Sequence, residues 1–559
     1  MDSPPGALPW LSAYDPDVPA RLDYPDKPVF ALLKENVRRH AERTALIFYG
    51  KKISYGQLGG YVDRLAGALK QLGTGPGDRV ALILPNCPQY VIAYYAVLQL
   101  GAVVVPVNPL STERELTHIV RDAGVRLAIA LNLLAGRMEN VRTALRDAGS
   151  PLLEQVIYAS MPEFLPFPLN LLYLLKQKSP PACRHGLRFR PLLNGSPALA
   201  CAASADVRRA PAVLIYTGGT TGKPKGVMLS HYALVVNAWQ CRAWVNTAPA
   251  DRLLAVLPIF HGFGMSVCMN SILLSGGAAI LLPRYQPGEI LKAVHRHRPT
   301  LFAGVPTMFT GLINQPDLSR YDLSSLRGCF SGAASLPPEI KRRFEELTGG
   351  RLMEGYGLTE AVTAKCANPY RGVNKTGSIG VPFPDTVMRI VDAETGAREL
   401  PPGEVGEIVL KSPDIMLGYY GRPEETAAVV RDGWLYTGDL GYMDADGYFY
   451  LVERKKDLII TGGFNVYPRE VEDVLYMHPA VKEACVIGVP DGYRGETVVA
   501  FIVLRENAAA GADELIAFCR QNLLPYKVPR RVEFCPELPK SAIGKVLRRV
   551  LREKAGDYK

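Results

Sequence analysis

The run Tyr216-Thr217-Gly218-Gly219-Thr220-Thr221-Gly222-Lys223-Pro224-Lys225-Gly226 holds the chain's densest set of residues suited to binding phosphate. Its glycines let the backbone approach an anion closely, and successive amides can form an anion-binding nest. Threonine hydroxyls can donate to phosphate or coordinate magnesium, and Lys223 and Lys225 add positive charge. The register is not that of a Walker loop, because no Gly-x-x-x-x-Gly-Lys-Ser/Thr fits it. No Gly-x-Ser-x-Gly elbow and no zinc-spaced His/Cys cluster competes as a catalytic centre. Other reactive side chains carry no local signature. Taken alone, Glu360 reads as a capping or surface carboxylate, Asp439 and Arg454 as surface charges, and His261 as a satisfied loop histidine. Lys545, near the C-terminus, suggests no chemistry unaided.

The glycine-rich run follows an apolar, strand-like stretch at 212–217. Similar stretches at 79–84, 103–107, 127–130, 253–257 and 278–282 are interleaved with helical patterns at 88–100, 111–123 and 289–297. Pro88 suits the first turn of the first of these helices. Such alternation predicts an α/β protein with parallel-type sheets and crossover helices. Two uncharged stretches, 90–107 and 253–283, are punctuated by glycine and proline. A membrane-spanning helix needs about 20 unbroken apolar residues, so both read as a buried helix, a glycine turn and a buried strand. From about Gly377 short strands and tight turns (402–403, 432–433, 446–447) indicate a β-rich subdomain. After Glu453-Arg454-Lys455-Lys456-Asp457 a compact α+β pattern begins, with helices at 468–478 and 512–522 and strands at 484–489 and 498–504. The expected division is a large N-terminal domain, 1–454, and a small mobile C-terminal domain, 455–559. The Pro-interrupted, Leu- and Phe-rich segment 161–178 ends in basic residues. It reads as a loop folded over the core, with a membrane-interface or acyl-entry element as the alternative.

The chain has 559 residues, enough for about three to five compact units. Its 48% hydrophobic and 21% charged residues exclude a disordered, collagenous or coiled-coil protein. A net charge of +10 favours polyanionic partners without choosing among nucleotides, coenzymes, nucleic acid and an anionic membrane surface. Ten cysteines without a Cys-x-x-Cys pair point to reduced thiols in a cytoplasmic setting. No secretory signal is evident at the N-terminus.

The glycine-rich run closely resembles the phosphate loop of the adenylate-forming superfamily, which includes acyl-CoA synthetases, luciferases and peptide-synthetase adenylation domains. The usual loop begins Thr-Ser-Gly, and here Gly218 takes the serine position. Further motifs follow in the family's order. Gly332-Ala333-Ala334 resembles the stretch along adenine. Gly355-Tyr356-Gly357-Leu358-Thr359-Glu360 resembles the motif whose tyrosine stacks near the base and whose glutamate holds magnesium. Trp434 to Asp439 resembles the segment whose aspartate binds the ribose hydroxyls, and Arg454 the arginine reaching ribose or phosphate. Leu538-Pro539-Lys540-Ser541-Ala542-Ile543-Gly544-Lys545 resembles the motif bearing the mobile catalytic lysine. Leu257 to Gly262 resembles the border of the acyl pocket, with His261 near the carboxylate. Lys456 falls at the hinge position, and Gly462-Gly463-Phe464 on the loop that would face the pantetheine tunnel.

The resemblance implies catalytic roles for Lys545, Glu360 and His261. It implies nucleotide or coenzyme contacts from the other residues just named, with Thr217, Gly218, Gly219, Thr220, Thr221, Gly222, Lys223 and Lys225 in the loop and Thr220 and Glu360 on magnesium. The implied co-substrates are ATP and coenzyme A with Mg2+. Segments 457–472 and 164–173 look most like bacterial long-chain fatty acid–CoA ligases. That subgroup implies a fatty acid substrate, no nucleic-acid partner, and a cytoplasmic enzyme. Peripheral contact with the inner face of the membrane and a homodimer stay open. So do an aryl- or shorter-chain acyl-CoA ligase, a fatty acyl-AMP ligase, and a catalytically silent acyl- or nucleotide-binding protein.

Overall fold

Valine- and alanine-rich runs without charge can be buried on both faces, and the strands they form lie at the centre of two large sheets. A computed structural model describes residues 8–150, 152–176, 186–199, 206–217, 224–462, 464–506, 508–541 and 546–556. The chain forms two compact units, one of Trp10–Val387 with Lys411–Gly433, the other including Met388–Leu410 and Trp434–Lys559. Residues on both sides of the 454/455 junction lie in the second unit.

The first unit holds an eight-stranded and a nine-stranded sheet. In the eight-stranded sheet, Arg79–Ile83 lies between Val103–Pro106 and Leu127–Leu131, all parallel. Pro211–Thr217 joins Val103–Pro106 in parallel and turns back into antiparallel Lys225–Ser230. The nine-stranded sheet runs parallel through Arg252–Ala255, Leu301–Gly304, Gly328–Ser331 and Arg351–Tyr356. Every residue of Val103–Pro106, Ala278–Leu281 and Leu301–Gly304 is buried, as parallel strands covered by crossover helices require.

The expected helix–turn–strand pieces are present. Pro88–Gln99 is a helix buried along its whole length, closed by Gly101 at φ 70° before the strand. The second uncharged stretch becomes the strand Arg252–Ala255, a π-helical turn Gly264–Asn270 running into Ser271–Leu274, and the strand Ala278–Leu281. Among the described residues no helix is long and apolar enough to cross a membrane. The helix expected from 111 starts at Glu113, because Thr112 caps it in a reciprocal box with Glu115.

Segment 161–178 differs from the expected loop over the core. Met161 and Phe164 are buried in a short 3-10 turn, and the chain then forms the helix Leu169–Lys176 with exposed leucines. Leucine is a strong helix former, and the stretch after Pro168 has no glycine or proline to break it.

In the second unit Gly406–Lys411, Trp434–Met443 and Phe449–Arg454 form an antiparallel β-rich layer. The C-terminal layer pairs Val481–Asp491 with Gly495–Leu504, and helices Pro468–Met477 and Ala512–Asn522 contribute to its core. The first of those strands outruns the expected 484–489 because the hairpin ladder carries polar residues such as Glu483 and Asp491 into register with Val503 and Gly495.

Candidate active site

Strand Pro211–Thr217 ends at Thr217, opposite Lys225 on the returning strand. These two residues are the stems of the glycine-rich loop, whose residues 218–223, including Thr220, Thr221 and Lys223, lie outside the described residues. Below the stems, the Tyr216 hydroxyl donates to Asp122 at 2.7 Å, and Asp122 also accepts from Arg422 at 3.3 Å. Lys225 is ion-paired with Glu425 and stands 5.2 Å from the centroid of the Tyr419 ring. The hydrogen bond from Lys225 holds the Glu425 carboxyl below its ordinary range.

A second group of candidates sits where parallel strands Gly328–Ser331 and Arg351–Tyr356 end side by side. Gly332 continues the first strand, and a Cβ there would meet the Phe263 ring at 3.0 Å. Ala333 and Ala334 are exposed, Ala333 at a left-handed φ of 67°. Gly355 and Tyr356 close the second strand. A Cβ on Gly357 would lie 0.9 Å from the Thr363 carbonyl oxygen, so only glycine fits. Val362 and Thr363 are left-handed, at φ 52° and 88°. Such conformations cost about 1–3 kcal/mol each and cluster at ligand sites.

Thr359 and Glu360 lie on the intervening 3-10 turn. The Tyr419 hydroxyl donates to Glu360 Oε1 at 2.9 Å, and the Met416 amide donates to the Glu360 carbonyl at 2.8 Å. Burial, and then the Glu360 carboxylate, raise the Tyr419 phenol well above its ordinary value. The phenol therefore stays a donor throughout the neutral and alkaline range. Tyr419 thus touches both the loop stem and the acidic turn. Sequence reading missed it, together with Glu425 and Asp122, because Tyr419 is 59 residues from Glu360. The pair Gly418-Tyr419 was the available local signal, and it names no partner.

His261 joins this group through its neighbour. Buried Asn86 donates to the Ala255 and Leu257 carbonyls at 3.0 and 2.9 Å and accepts from the Ile259 amide at 2.9 Å, which holds the loop before the histidine. The Phe263 amide donates to His261 Nδ1 at 3.2 Å, so the proton of a neutral ring belongs on Nε2. A Cβ on Gly262 would meet Thr363 Oγ1 at 2.4 Å, which puts the histidine loop against the left-handed turn. The buried Oγ1 of Thr363 and Oγ of Ser331 have no hydrogen-bond partner in the structure. Orphaned hydroxyls beside exposed backbone suit a polar ligand such as a nucleotide. Among the described residues no cluster of three or more His, Cys, Asp or Glu could cage a metal.

The second unit carries the remaining candidates. Asp439, buried, pairs across strands with Arg454, Nε to Oδ1 at 3.0 Å. Its amide donates to Thr437 Oγ1 at 3.1 Å, and Thr437 donates to the Ile408 carbonyl at 2.7 Å. Lys456 is exposed on the charged turn. Around that turn Arg548 reaches Glu453 at 2.9 Å and Glu472 at 2.7 Å, and Arg552 reaches Asp457 at 2.9 Å. Burial pushes the Glu453 carboxyl up, against the pull of Arg548. Gly462 is left-handed at φ 57°, and the half-exposed Phe464 ring stacks on Tyr526 at 4.7 Å. Gly463 and Lys545 lie outside the described residues.

The sequence matches the AMP-binding enzyme family over residues 33–420 and the AMP-binding enzyme C-terminal domain over 470–545. A long-chain-fatty-acid–CoA ligase of Bacillus subtilis is 47% identical over 557 residues, covering 98% of each chain. A ligase of the same name from Escherichia coli is 37% identical, again over 98% of each. The fold is similar to that of ATP-bound MatB from Rhodopseudomonas palustris, with a TM-score of 0.83 and 32% identity over 95% of this chain and 99% of that one.

Proposed function

The chain belongs to the AMP-binding enzyme family, and from that premise we propose that it is a long-chain fatty acid–CoA ligase. In the first step a carboxylate oxygen of the acid attacks the α-phosphorus of ATP, and the bond to pyrophosphate breaks. In the second the coenzyme A thiol, giving up its proton, attacks the acyl carbon and AMP departs. The observation that carries the adenylation chemistry is the junction of Lys225, Tyr419 and Glu360 at the stems of the glycine-rich loop. The substrate class rests on the whole-length likeness to the fatty acid ligases.

In this reading residues 217–225 cradle the phosphates, Gly332 to Ala334 and Gly355 to Gly357 line the adenine, and Asp439 with Arg454 receives the ribose. A vicinal diol suits Asp439 because an ionised carboxylate only accepts hydrogen bonds. Mg2+ would sit on Glu360 with the Thr220 hydroxyl, phosphate oxygens and water, where it would neutralise charge on the leaving pyrophosphate. His261 borders the carboxylate of the acid. Lys545 supplies the point charge that stabilises the transition state of the first step. Residues 1–454 and 455–559 act as separate domains, hinged at Lys456, so that Gly462, Gly463 and Phe464 face the pantetheine in the second step. The enzyme works in the cytoplasm and touches the inner face of the membrane. A homodimer is tested by light scattering.

Acid-dependent exchange of pyrophosphate into ATP across a panel of acids tests the reading. Exchange should rise with aliphatic chain length, since each buried methylene contributes about 0.8 kcal/mol. Preference for aryl or short acids would replace the substrate. Adenylate formed without thioester would indicate an acyl-AMP ligase, and no exchange at all would mean a silent binding protein.

A further inference from the structure

The helix Leu169–Lys176 is the most conspicuous part of the surface that the chemistry above leaves unused. Phe167 is 81% exposed and Leu175 74%, while Leu171, Leu172 and Leu174 are each about half exposed. Residues 165–175 contain no charged side chain. Contiguous exposed apolar surface of this kind marks an interaction site. The helix has eight residues, about 12 Å at 1.5 Å per residue, far short of the roughly 30 Å hydrocarbon core. It can lie in a membrane interface but cannot cross one.

Its surroundings are cationic. Phe164, at the inner end of the segment, has Lys51 Nζ 5.6 Å and the Arg190 guanidinium 5.3 Å from its ring centroid. Lys52, next to Lys51, and Arg188, two residues before Arg190, are exposed. Residues 49–57 and 186–190 contain no acid. Near Tyr49 the charged groups are Arg284 and Glu289, the latter paired with Lys292. One acid, Glu163, accepts from Gln89 at 3.2 Å and lies beside Arg190. Exposed leucines beside this net positive charge complement an apolar layer under an anionic surface. A protein groove would explain the leucines without requiring the cations.

We propose that the helix Leu169–Lys176 with Phe167, flanked by Lys51, Lys52, Arg188 and Arg190, docks the enzyme on an anionic phospholipid bilayer. The proposal rests on the fatty acid reading, because a long-chain acid partitions into bilayers and a docked enzyme meets it at high local concentration. Leucines and Phe167 enter the headgroup–acyl boundary while the cations hold the phosphates. Each interfacial cation strengthens binding about fivefold at low salt.

The test is co-sedimentation of the full chain with vesicles of phosphatidylcholine alone or with 30% phosphatidylglycerol, without ATP or acid, so that it does not depend on catalysis. The wild type should bind the anionic vesicles, release at high salt, and bind the neutral ones at least tenfold more weakly. F167S/L174Q/L175Q and K52E/R188E should each lose about tenfold or more. Both should retain pyrophosphate exchange with a short soluble acid, which shows that they fold. Wild-type protein that ignores anionic vesicles, or variants that bind like the wild type, would overturn the proposal. So would a change of solution mass in the apolar variant with vesicle binding intact, which would assign the face to a second copy of the chain.

Discussion

Replacing Tyr419 by phenylalanine removes one hydroxyl and leaves the ring beside Lys225 in place. The lost bond is a 2.9 Å donation to Glu360 Oε1. Hydrogen bonds to charged groups contribute about 1.5–3 kcal/mol, and a half-buried pair belongs at the lower end. A loss of about 1.5 kcal/mol is roughly tenfold in rate if the bond persists in the transition state. Tyr419 is a positioning residue acting through Glu360, so the loss should fall on the step that needs the metal-bound phosphates. The assay is pyrophosphate exchange against Mg2+ concentration, beside thioester formation from supplied acyl-AMP. Exchange should drop about tenfold with a higher Mg2+ requirement, while thioester formation stays within about twofold. In a Glu360→Gln background the same change should cost little more, because coupled residues are not additive. Additive losses, or equal loss of both half-reactions, would refute the reasoning.

The two half-reactions also separate the proposed domain roles: Lys545→Ala should abolish pyrophosphate exchange yet convert supplied acyl-AMP to thioester, and Lys456→Pro should do the reverse. Gly357→Ala should cost at least about 3 kcal/mol in chemical denaturation, since its Cβ would overlap the Thr363 carbonyl and backbone yields poorly. Gly288→Ala, a helical position with open space around it, should be neutral or slightly stabilising. Burial lowers the His231 imidazole from 6.5 to about 4. The unfolded chain then binds more protons than the folded one between those values, so stability is lost as the pH drops from 6.5 to about 4, by about 3 kcal/mol at most. Denaturation of His231→Gln between pH 7 and 4 should show a slope shallower by up to one proton; an unchanged slope would remove His231 as the cause.

How much was legible depended on whether the cause was local. The strands at 79–84, 103–107 and 278–282 match the structure within two residues because their predominantly apolar runs suit buried parallel strands. The turn at Gly101 was equally local; the capping box Thr112/Glu115, local too, was overlooked, which set the helix start two residues early. Strand Thr44–Phe48 and the edge strand Lys51–Ser54 were not seen; they are ordered by pairing with each other and, for the first, with Ala278–Leu281. The buried ion pair Lys365–Asp414, with Gln240 on the same ammonium, was invisible for the same reason. Segment 161–178 was misjudged as a covering loop because apolar composition argues for burial, whereas among its described residues only the first few reach the core, and 177–178 lie outside the described residues.

Residue types in order along the chain were sufficient to identify an α/β protein, because backbone propensity and hydrophobic burial act over a few residues, and the glycine-rich loop and further motifs were read from their resemblance to a family. Tertiary structure alone joined Tyr419 to Glu360 and Lys225, set Gly262 against Thr363, and turned a leucine-rich segment outward beside Lys51 and Arg190. Those relations are made by packing between segments far apart in sequence. Neither partner's residue type encodes them, and they exist only once the sheets have formed.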